Sequence, residues 1–435
     1  MCILCTMDRA TPAHQVSVTA DQRSAGGGLI VTRGTCADHA NAQPTGDLRQ
    51  VAPRVMHVIT GVRQGGAEKM LSDIIAQRPS GSEHSVLSLT AGEPFFDFGP
   101  SCASLGLKRG QISPRGLWRL RSAIIASQPD VLHSWLYHAN LAASLAAPVN
   151  TAHVWGIHNT ALPNSGAKRL TRLTARLCGL LSHIAPSQTV YCSAAAASWH
   201  QQVLGYASGR TEIIENGIDF SAFVFDPTAR ARLRAQWGLS ESDLAIGSIG
   251  RFSAQKGHAI VAAALRHLSL GQAVWVVAGE DCVAENPDLS MLRQGLRSLA
   301  LGPRRDVAAV LSALDLLVIG SAFGEALPVV GLEAVANGLP VVATRVGDAA
   351  LFVTTQAQLA EPAEVADLAR AVSSALTLRR GIPELEALRR RLLARCDIRM
   401  AAEAYHRLYA ELANARRLHR SKRSSALRSG RSELQ

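Results

Sequence analysis

Aromatic residues make up only 5% of this 435-residue chain, although 47% of it is apolar. Its cores must therefore be built mainly from Leu, Val and Ala, and the length supplies material for two or three of them. No uninterrupted apolar run reaches the roughly 18 residues that a membrane-spanning helix needs, and no charged-then-apolar leader opens the sequence. The eight cysteines, at 2, 5, 36, 102, 178, 192, 282 and 396, show no metal-site spacing beyond the pair Cys2 and Cys5. They are scattered as small buried residues are in a reducing compartment, and the expected location is the cytoplasm. The dinucleotide fingerprint G-x-G-x-x-G and the P-loop Lys with its Ser or Thr are also missing.

The formal net charge of +11 invites a nucleic-acid reading, but its distribution argues against one. Residues 416–435 hold seven Arg or Lys against one Glu, so +6 of the +11 lies there. A basic tail without interleaved aromatics reads as disordered, and lipid, nucleic acid or nothing at all could meet it.

What is present is an alternation of β-branched runs and amphipathic helices. Residues 1–52 show no sustained period and are expected to be a disordered or mis-assigned extension. Order begins with VMHVIT over 55–60, a buried parallel strand in pattern, followed by GVRQGGAEKM. There Gly65 and Gly66 allow close approach of a ligand, and a helix opens at Ala67. Further strands are expected at 84–89, 131–133 and 152–157, with helices over 117–127, 136–148 and 193–205. His158 then stands at the carboxyl end of a strand, the ligand edge of an open α/β sheet, with His133 and His138 near neighbouring strand ends.

Over 164–182, leucines 170, 173, 177, 180 and 181 recur at helical spacing, with Lys168, Arg169, Arg172 and Arg176 largely on the other side. This describes either a surface helix with snorkelling bases or a helix resting on anionic lipid. In the second case the protein would sit at the inner face of the cell membrane.

The turn at Asn216 and Gly217 marks the passage to a second domain. There the pattern predicts a helix over 226–237 and a strand over 244–249, then GRFSAQKGH, which places Arg251 and Lys256 beyond the strand end. An Arg fork and a Lys point charge there suit a diphosphate. Helices over 258–268, 289–299 and 362–377 and strands over 273–278 and 315–319 complete the pattern.

The segment 321–348, SAFGEALPVVGLEAVANGLPVVATRVGD, reads as loop, helix and strand, with Pro328 in the first helical turn and Gly338 ending the helix. Glu325 falls in the loop and Glu333 about one turn into the helix. Free amides between Ala326 and Val330 can receive an anion, so the pattern fits a phosphorylated, hydroxyl-rich ligand. An ordinary βαβ unit with a surface loop fits the spacing equally well.

Taken together, GGAE at 65–68, PDVLHSWLYHAN at 129–140, IHNT at 157–160, ENGID at 215–219, GRFSAQKGH at 250–258 and the pair Glu325 and Glu333 resemble the retaining glycosyltransferases of family 4 (glycosyltransferase group 1), of the branch that builds bacterial polysaccharides. The resemblance runs from Val55 to about Leu412. It implies an α/β protein of GT-B architecture, two Rossmann-like domains facing across a cleft. An acceptor-side domain over 53–220 and a nucleotide-sugar domain over 221–395 would be followed by a helix over 396–415 packed on the first domain and the basic tail 416–435.

The resemblance further implies that Arg251 and Lys256 bind the donor diphosphate, assisted by the amides after Glu325, in the binding loop Ala326, Leu327 and Pro328. Glu325 would bind donor-sugar hydroxyls, Glu333 the ribose, Gly65 and Gly66 would let the first domain close over the phosphates, and His158 would reach the reacting sugar or acceptor. No cofactor and no metal is expected, and no clear Asp-x-Asp site is present. The co-substrate would be a UDP-, GDP- or other nucleotide sugar, and the acceptor a saccharide or polyprenyl-linked saccharide. A same-fold synthase or phosphorylase on a soluble sugar and a non-catalytic nucleotide-sugar-binding protein are the alternatives. Two departures from the family pattern stand out. Ala326 occupies a position where relatives usually have Gly, and 298–306 appears about half a dozen residues short, around a strand that relatives have.

Overall fold

The computed structural model describes residues 52–108, 113–163 and 168–432, with side chains described to Leu418. The extension expected at the N-terminus, with Cys2 and Cys5, lies outside the described residues but for its last position. The first domain has strands β1 (Arg54–Ile59), β2 (Glu83–Thr90), β3 (Cys102–Leu107), β4 (Val131–Trp135), β5 (Ala152–Ile157), β6 (Gln188–Tyr191) and β7 (Thr211–Ile213). Its helices are α1 (Gly66–Ala76), α2 (Pro114–Ser127), α3 (Leu136–Ala146), α4 (Arg169–Leu181) and α5 (Ala194–Leu204). All seven strands are parallel, in the order β3-β2-β1-β4-β5-β6-β7.

Side chains on β1 alternate. Val55 and Ile59 join the core beneath α1, whereas Met56 and Val58 join the one beneath α2 and α3. A parallel sheet covered on both faces needs this double apolar dressing, so β1 reads as a nearly continuous apolar run.

The second domain repeats the plan with β8 (Leu244–Ile249), β9 (Ala273–Ala278), β10 (Ser298–Ala300), β11 (Leu316–Ile319), β12 (Val341–Thr344) and β13 (Leu359–Ala360). Interleaved are α6 (Pro227–Gln236), α7 (His258–Leu268), α8 (Pro287–Arg293), α9 (Val307–Ala313), α10 (Val329–Ala336), α11 (Val365–Ala375) and α12 (Pro383–Cys396). The order β10-β9-β8-β11-β12-β13 is the first domain's order over again, and it reverses direction between β8 and β11 as the first does between β1 and β4. Such reversals open a crevice at the carboxyl ends of the strands, where ligands bind in open α/β sheets.

The chain passes between the domains twice. Ile218 N–H donates to Cys396 O at 3.0 Å and Ile398 N–H to Ile218 O at 2.9 Å, so the two passages lie side by side. Gly217 is required there, because a Cβ would stand 2.8 Å from Ile398 Cα. Helix α13 (Ile398–Ser432) then returns to the first domain, where Tyr409 OH meets His133 Nδ1 at 2.7 Å and Arg416 donates to Pro129 O at 2.6 Å.

Several expectations change. The helix predicted over 289–299 ends at Arg293, and Ser298–Ala300 forms β10 paired with β9, so the strand thought lost from the shortened segment is present in three residues. Gly295, with φ of +72°, turns the chain between them. Strands β3, β6 and β7 carry too little apolar run to stand out in the sequence. The tail expected to be disordered continues α13 as helix to Ser432. Most consequentially, Leu170, Leu173, Leu177 and Leu180 of α4 do not face the core: its buried residues are Thr174, Ala175, Cys178 and Gly179, and of the five leucines Leu181 packs at the core's edge.

Candidate active site

Both crevices open into one cleft of about 1420 Å³ between the domains. This exceeds the ~300–1,000 Å³ of ordinary small-molecule pockets, leaving room for two substrates. Nine of the ten residues singled out in the sequence line it: Gly65, Gly66, His158, Arg251, Lys256, Glu325, Leu327, Pro328 and Glu333.

The second-domain wall is built from the ends of β8 and β11. Gly257 closes the turn after Lys256 with φ of +64°, and a Cβ there would stand 1.8 Å from Gly320 O, so the two loops meet backbone to backbone. That approach brings Lys256 Nζ to 2.6 Å from Glu325 Oε1, which also accepts from Ser321 Oγ at 3.1 Å. Arg251 extends into the cleft with no hydrogen bond or ion pair among the described residues. No side chain caps α10, and Val329 and Val330 line the cleft, so their two amides are open to an anion, whereas Gly331 N–H donates to Pro328 O at 3.1 Å.

Glu333 lies one turn further along α10 and is only 7% exposed. Burial raises its pKa to about 7; Lys69 lowers it, and Asp73 raises it further. Both belong to α1, whose start at Gly66 brings the glycine's Cα edge against Val329, where a Cβ would stand 3.7 Å from Val329 Cγ2.

The first-domain wall holds His158 at the end of β5. Its ring stacks on Trp135 at 5.0 Å, and its Nδ1 lies 3.1 Å from Asn216 Oδ1. Asn216 Nδ2 donates to Leu327 O at 2.9 Å, which leaves Oδ1 as the acceptor and assigns the His158 proton to Nδ1. Burial lowers the His158 pKa to about 4, so near neutral pH the ring is uncharged and Nε2 is a bare acceptor. Nε2 is buried without a partner on the side of Gly156, where a Cβ would stand 3.5 Å from it. His138 also lines the cleft, whereas His133 is fully buried in the core and takes no part.

Ala326 is the exception. It is 1% exposed, packs with Tyr137, Trp155 and Ile157, and is absent from the cleft lining. Its φ is not positive, so the methyl group is unstrained and turns into the first-domain core. Positive φ falls instead on Gly324, at +76°, and on Gly347, at +59°, where a Cβ would stand 2.2 Å from Glu325 O.

The domains touch through this loop. Asn159 and Glu325 form an antiparallel bridge, Thr160 N–H donates to Gly324 O at 3.2 Å, and Thr160 Oγ1 donates to Glu325 O at 2.5 Å. Across the cleft Arg63 pairs with Glu280 at 3.0 Å, and the Arg305 guanidinium lies 4.9 Å from the centre of the Phe95 ring. Sequence reasoning assigned no place in the site to Thr160, Asn216, Arg63 or Glu280, and read Asn216 only as part of the interdomain turn. IHNT and ENGID were the available signal for the first two. Leu136, which lines the cleft with a φ of +69°, is a strained position that no sequence feature announces.

Two family models match the chain, one described as Glycosyltransferase Family 4 over residues 64–222 and one as Glycosyl transferases group 1 over residues 243–377. They fall on the two domains in turn. The chain is a glycosyltransferase of group 1, family 4 type. Among curated relatives of this glycosyltransferase, "Putative glycosyltransferase EpsF" of Bacillus subtilis (strain 168) is 28% identical over 363 residues, covering 76% of this chain and 91% of that protein. A D-inositol 3-phosphate glycosyltransferase of Mycobacterium marinum is 31% identical over 146 residues, 32% of this chain and 30% of that one.

Among solved structures, Anabaena Alr3699/HepE in complex with UDP and glucose superposes with a TM-score of 0.69 at 21% identity, over 82% of this chain and all of that one. WaaG, a glycosyltransferase involved in lipopolysaccharide biosynthesis, gives 0.56 at 17% identity, over 84% and 99%. These two likenesses establish the shared GT-B fold of paired Rossmann-like domains.

Proposed function

We propose that this glycosyltransferase moves a sugar from a nucleoside-diphosphate donor to a saccharide or lipid-linked saccharide acceptor, with retention of anomeric configuration, in the synthesis of a surface polysaccharide. The observation that carries the reading is the grouping on one cleft wall of Arg251, Lys256 and the open amides of α10, with Glu325 and Glu333 at its two ends. Two cations and a helix N-terminus make a seat for a diphosphate. Glu325 then serves the donor sugar and Glu333 the ribose. HepE, with the same fold, was solved with UDP and with UDP-glucose, and the name EpsF supports the transfer class.

In the reaction, the acceptor hydroxyl oxygen bonds to the anomeric carbon on the face from which the diphosphate leaves. The anomeric C–O bond breaks with its electron pair going to the phosphate, and the acceptor proton follows to that phosphate oxygen. Arg251, Lys256 and the α10 amides stabilise the charge that develops there. His158 lines the cleft at the end of β5, where the reacting sugar or acceptor would lie, and the two-domain cleft excludes water that would hydrolyse the donor.

A screen of nucleotide sugars, read by mass spectrometry of the nucleotide released, tests this. Release of a nucleoside diphosphate that requires an added acceptor is expected. Failure to bind any common nucleoside diphosphate by calorimetry would overturn the reading.

A further inference from the structure

The α2 to α5 side of the first domain has a pattern that the transfer site does not use. Between Gly99 and Thr211 the chain holds ten Lys or Arg and a single acid, Asp130. Asp130 is itself engaged by Arg417 at 2.9 Å. Helices α2, α3, α4 and α5 contain no acid at all.

Within this basic stretch α4 turns its apolar residues outward. Its inner face is small because Gly179 runs against the end of α5, where a Cβ would stand 2.2 Å from Leu204 O. Thr174, Ala175 and Cys178 fill the rest of that face, with Leu181 at its edge, and the other four leucines are excluded from it. Leu170, Leu173, Leu177 and Leu180 fall within an arc of about 80° at 100° per residue. They are exposed by 48%, 54%, 41% and 75%, and Ile184, just beyond the helix, by 77%. Arg169 and Arg176 flank the stripe, exposed and without a hydrogen bond or ion pair among the described residues.

An outward leucine stripe beside unpaired guanidinium groups fits one kind of partner, a surface with an anionic layer over an apolar one. The stripe has no aromatic side chain on which bases could stack, which disfavours a nucleic acid. The start of the helix also borders the transfer site, since Lys168, Leu170 and Thr171 line the cleft.

We propose that α4 docks the protein on an anionic lipid bilayer. Leu173, Leu177, Leu180 and Ile184 enter the boundary between headgroups and acyl chains, and Arg169 and Arg176 meet lipid phosphates. Resting on the transferase reading above, the same docking turns the cleft mouth at Lys168 to the membrane, so that the acceptor is lipid-borne.

The test is flotation of the full chain with vesicles of phosphatidylcholine, with and without phosphatidylglycerol, in the absence of any sugar nucleotide. A failure of the transferase assignment therefore cannot mimic a failure of docking. The wild type is expected to float only with the anionic vesicles and less so as salt rises. The variant L173S/L177S/L180S keeps every basic residue, and its partition is expected to fall on the order of tenfold or more, while its melting temperature and nucleoside-diphosphate binding stay unchanged. Undiminished flotation of that variant would overturn the proposal, because binding would then rest on charge elsewhere. So would absence of wild-type flotation, or a self-association abolished by the same substitutions, which would show a second copy covering the stripe. Binding of RNA in preference to anionic vesicles would overturn it as well.

Discussion

Glu333 offers a perturbation in which stability and function move in opposite directions. Its carboxyl is 7% exposed, and burial lifts its pKa from the ordinary 4.5 to about 7. Below pH 4.5 it is protonated in both folded and unfolded chains and has no effect on stability. Between pH 4.5 and about 7 the unfolded chain is ionised while the folded one stays protonated, so stability is lost across that window and levels off above it. A shift from 4.5 to about 7 corresponds to roughly 3 kcal/mol lost by pH 8.

Glu333→Gln keeps the shape and removes the ionisation. Its unfolding free energy should match the wild type near pH 4.5 and exceed it by up to roughly 3 kcal/mol at pH 8. Buried histidines titrate in both proteins and cancel in the difference. The opposite is expected of donor binding, because a carboxylate accepts hydrogen bonds from a ribose diol and a carboxyl or amide does so less well. Wild-type affinity for a nucleoside diphosphate should rise about tenfold between pH 6 and pH 8 as the ionised fraction grows, and the variant should show no such rise. Denaturant melts and calorimetry across the pH series measure both. Parallel stability curves at all pH values, or equal pH dependence of binding, would refute the assignment of Glu333 to the ribose end of the site.

Three further outcomes follow from the same geometry. Lys256→Met should lower kcat by about 10²–10³, the usual effect of removing one donor from a developing anion, with the circular dichroism spectrum retained; near wild-type turnover would remove Lys256 from the diphosphate seat. Asn216→Ala leaves the His158 Nδ1 proton and Leu327 O unpartnered. It should lower stability by about 1–3 kcal/mol and reduce kcat/KM more than a surface Asn→Ala control does in steady-state assays. Burial lowers the pKa of His84 and of His153 to about 3. Below pH 6.5 the unfolded chain therefore binds protons that the folded one refuses, and stability should fall by about 1.4 kcal/mol per pH unit for each of the two, seen as a lower urea midpoint at pH 5.5 than at pH 7.

Much of this was legible in the chain itself. The strands with long apolar runs, β1, β5, β8, β9 and β11, and the helices after them were read from periodicity, because a buried parallel strand must be apolar on both faces. The edge elements β3, β7 and β10 escaped. They are only partly covered, so their residues need not follow that rule. Arg251, Lys256, Glu325 and Glu333 were legible because a strand end and a helix start leave a local mark in composition.

What the sequence determined alone was therefore local and periodic: which segments are strands or helices, and which charged side chains stand at their ends. Tertiary structure decided where each segment faces. It turned Ala326 out of the cleft and into the first-domain core, kept His133 from the site and drew Thr160 and Asn216 onto the Glu325 loop. It also set Leu170, Leu173, Leu177 and Leu180 of α4 outward, because the helix's fully buried face admits only Thr, Ala, Cys and Gly. Periodicity gives the angle between two faces of a helix. Only the volume available on each side determines which face is buried.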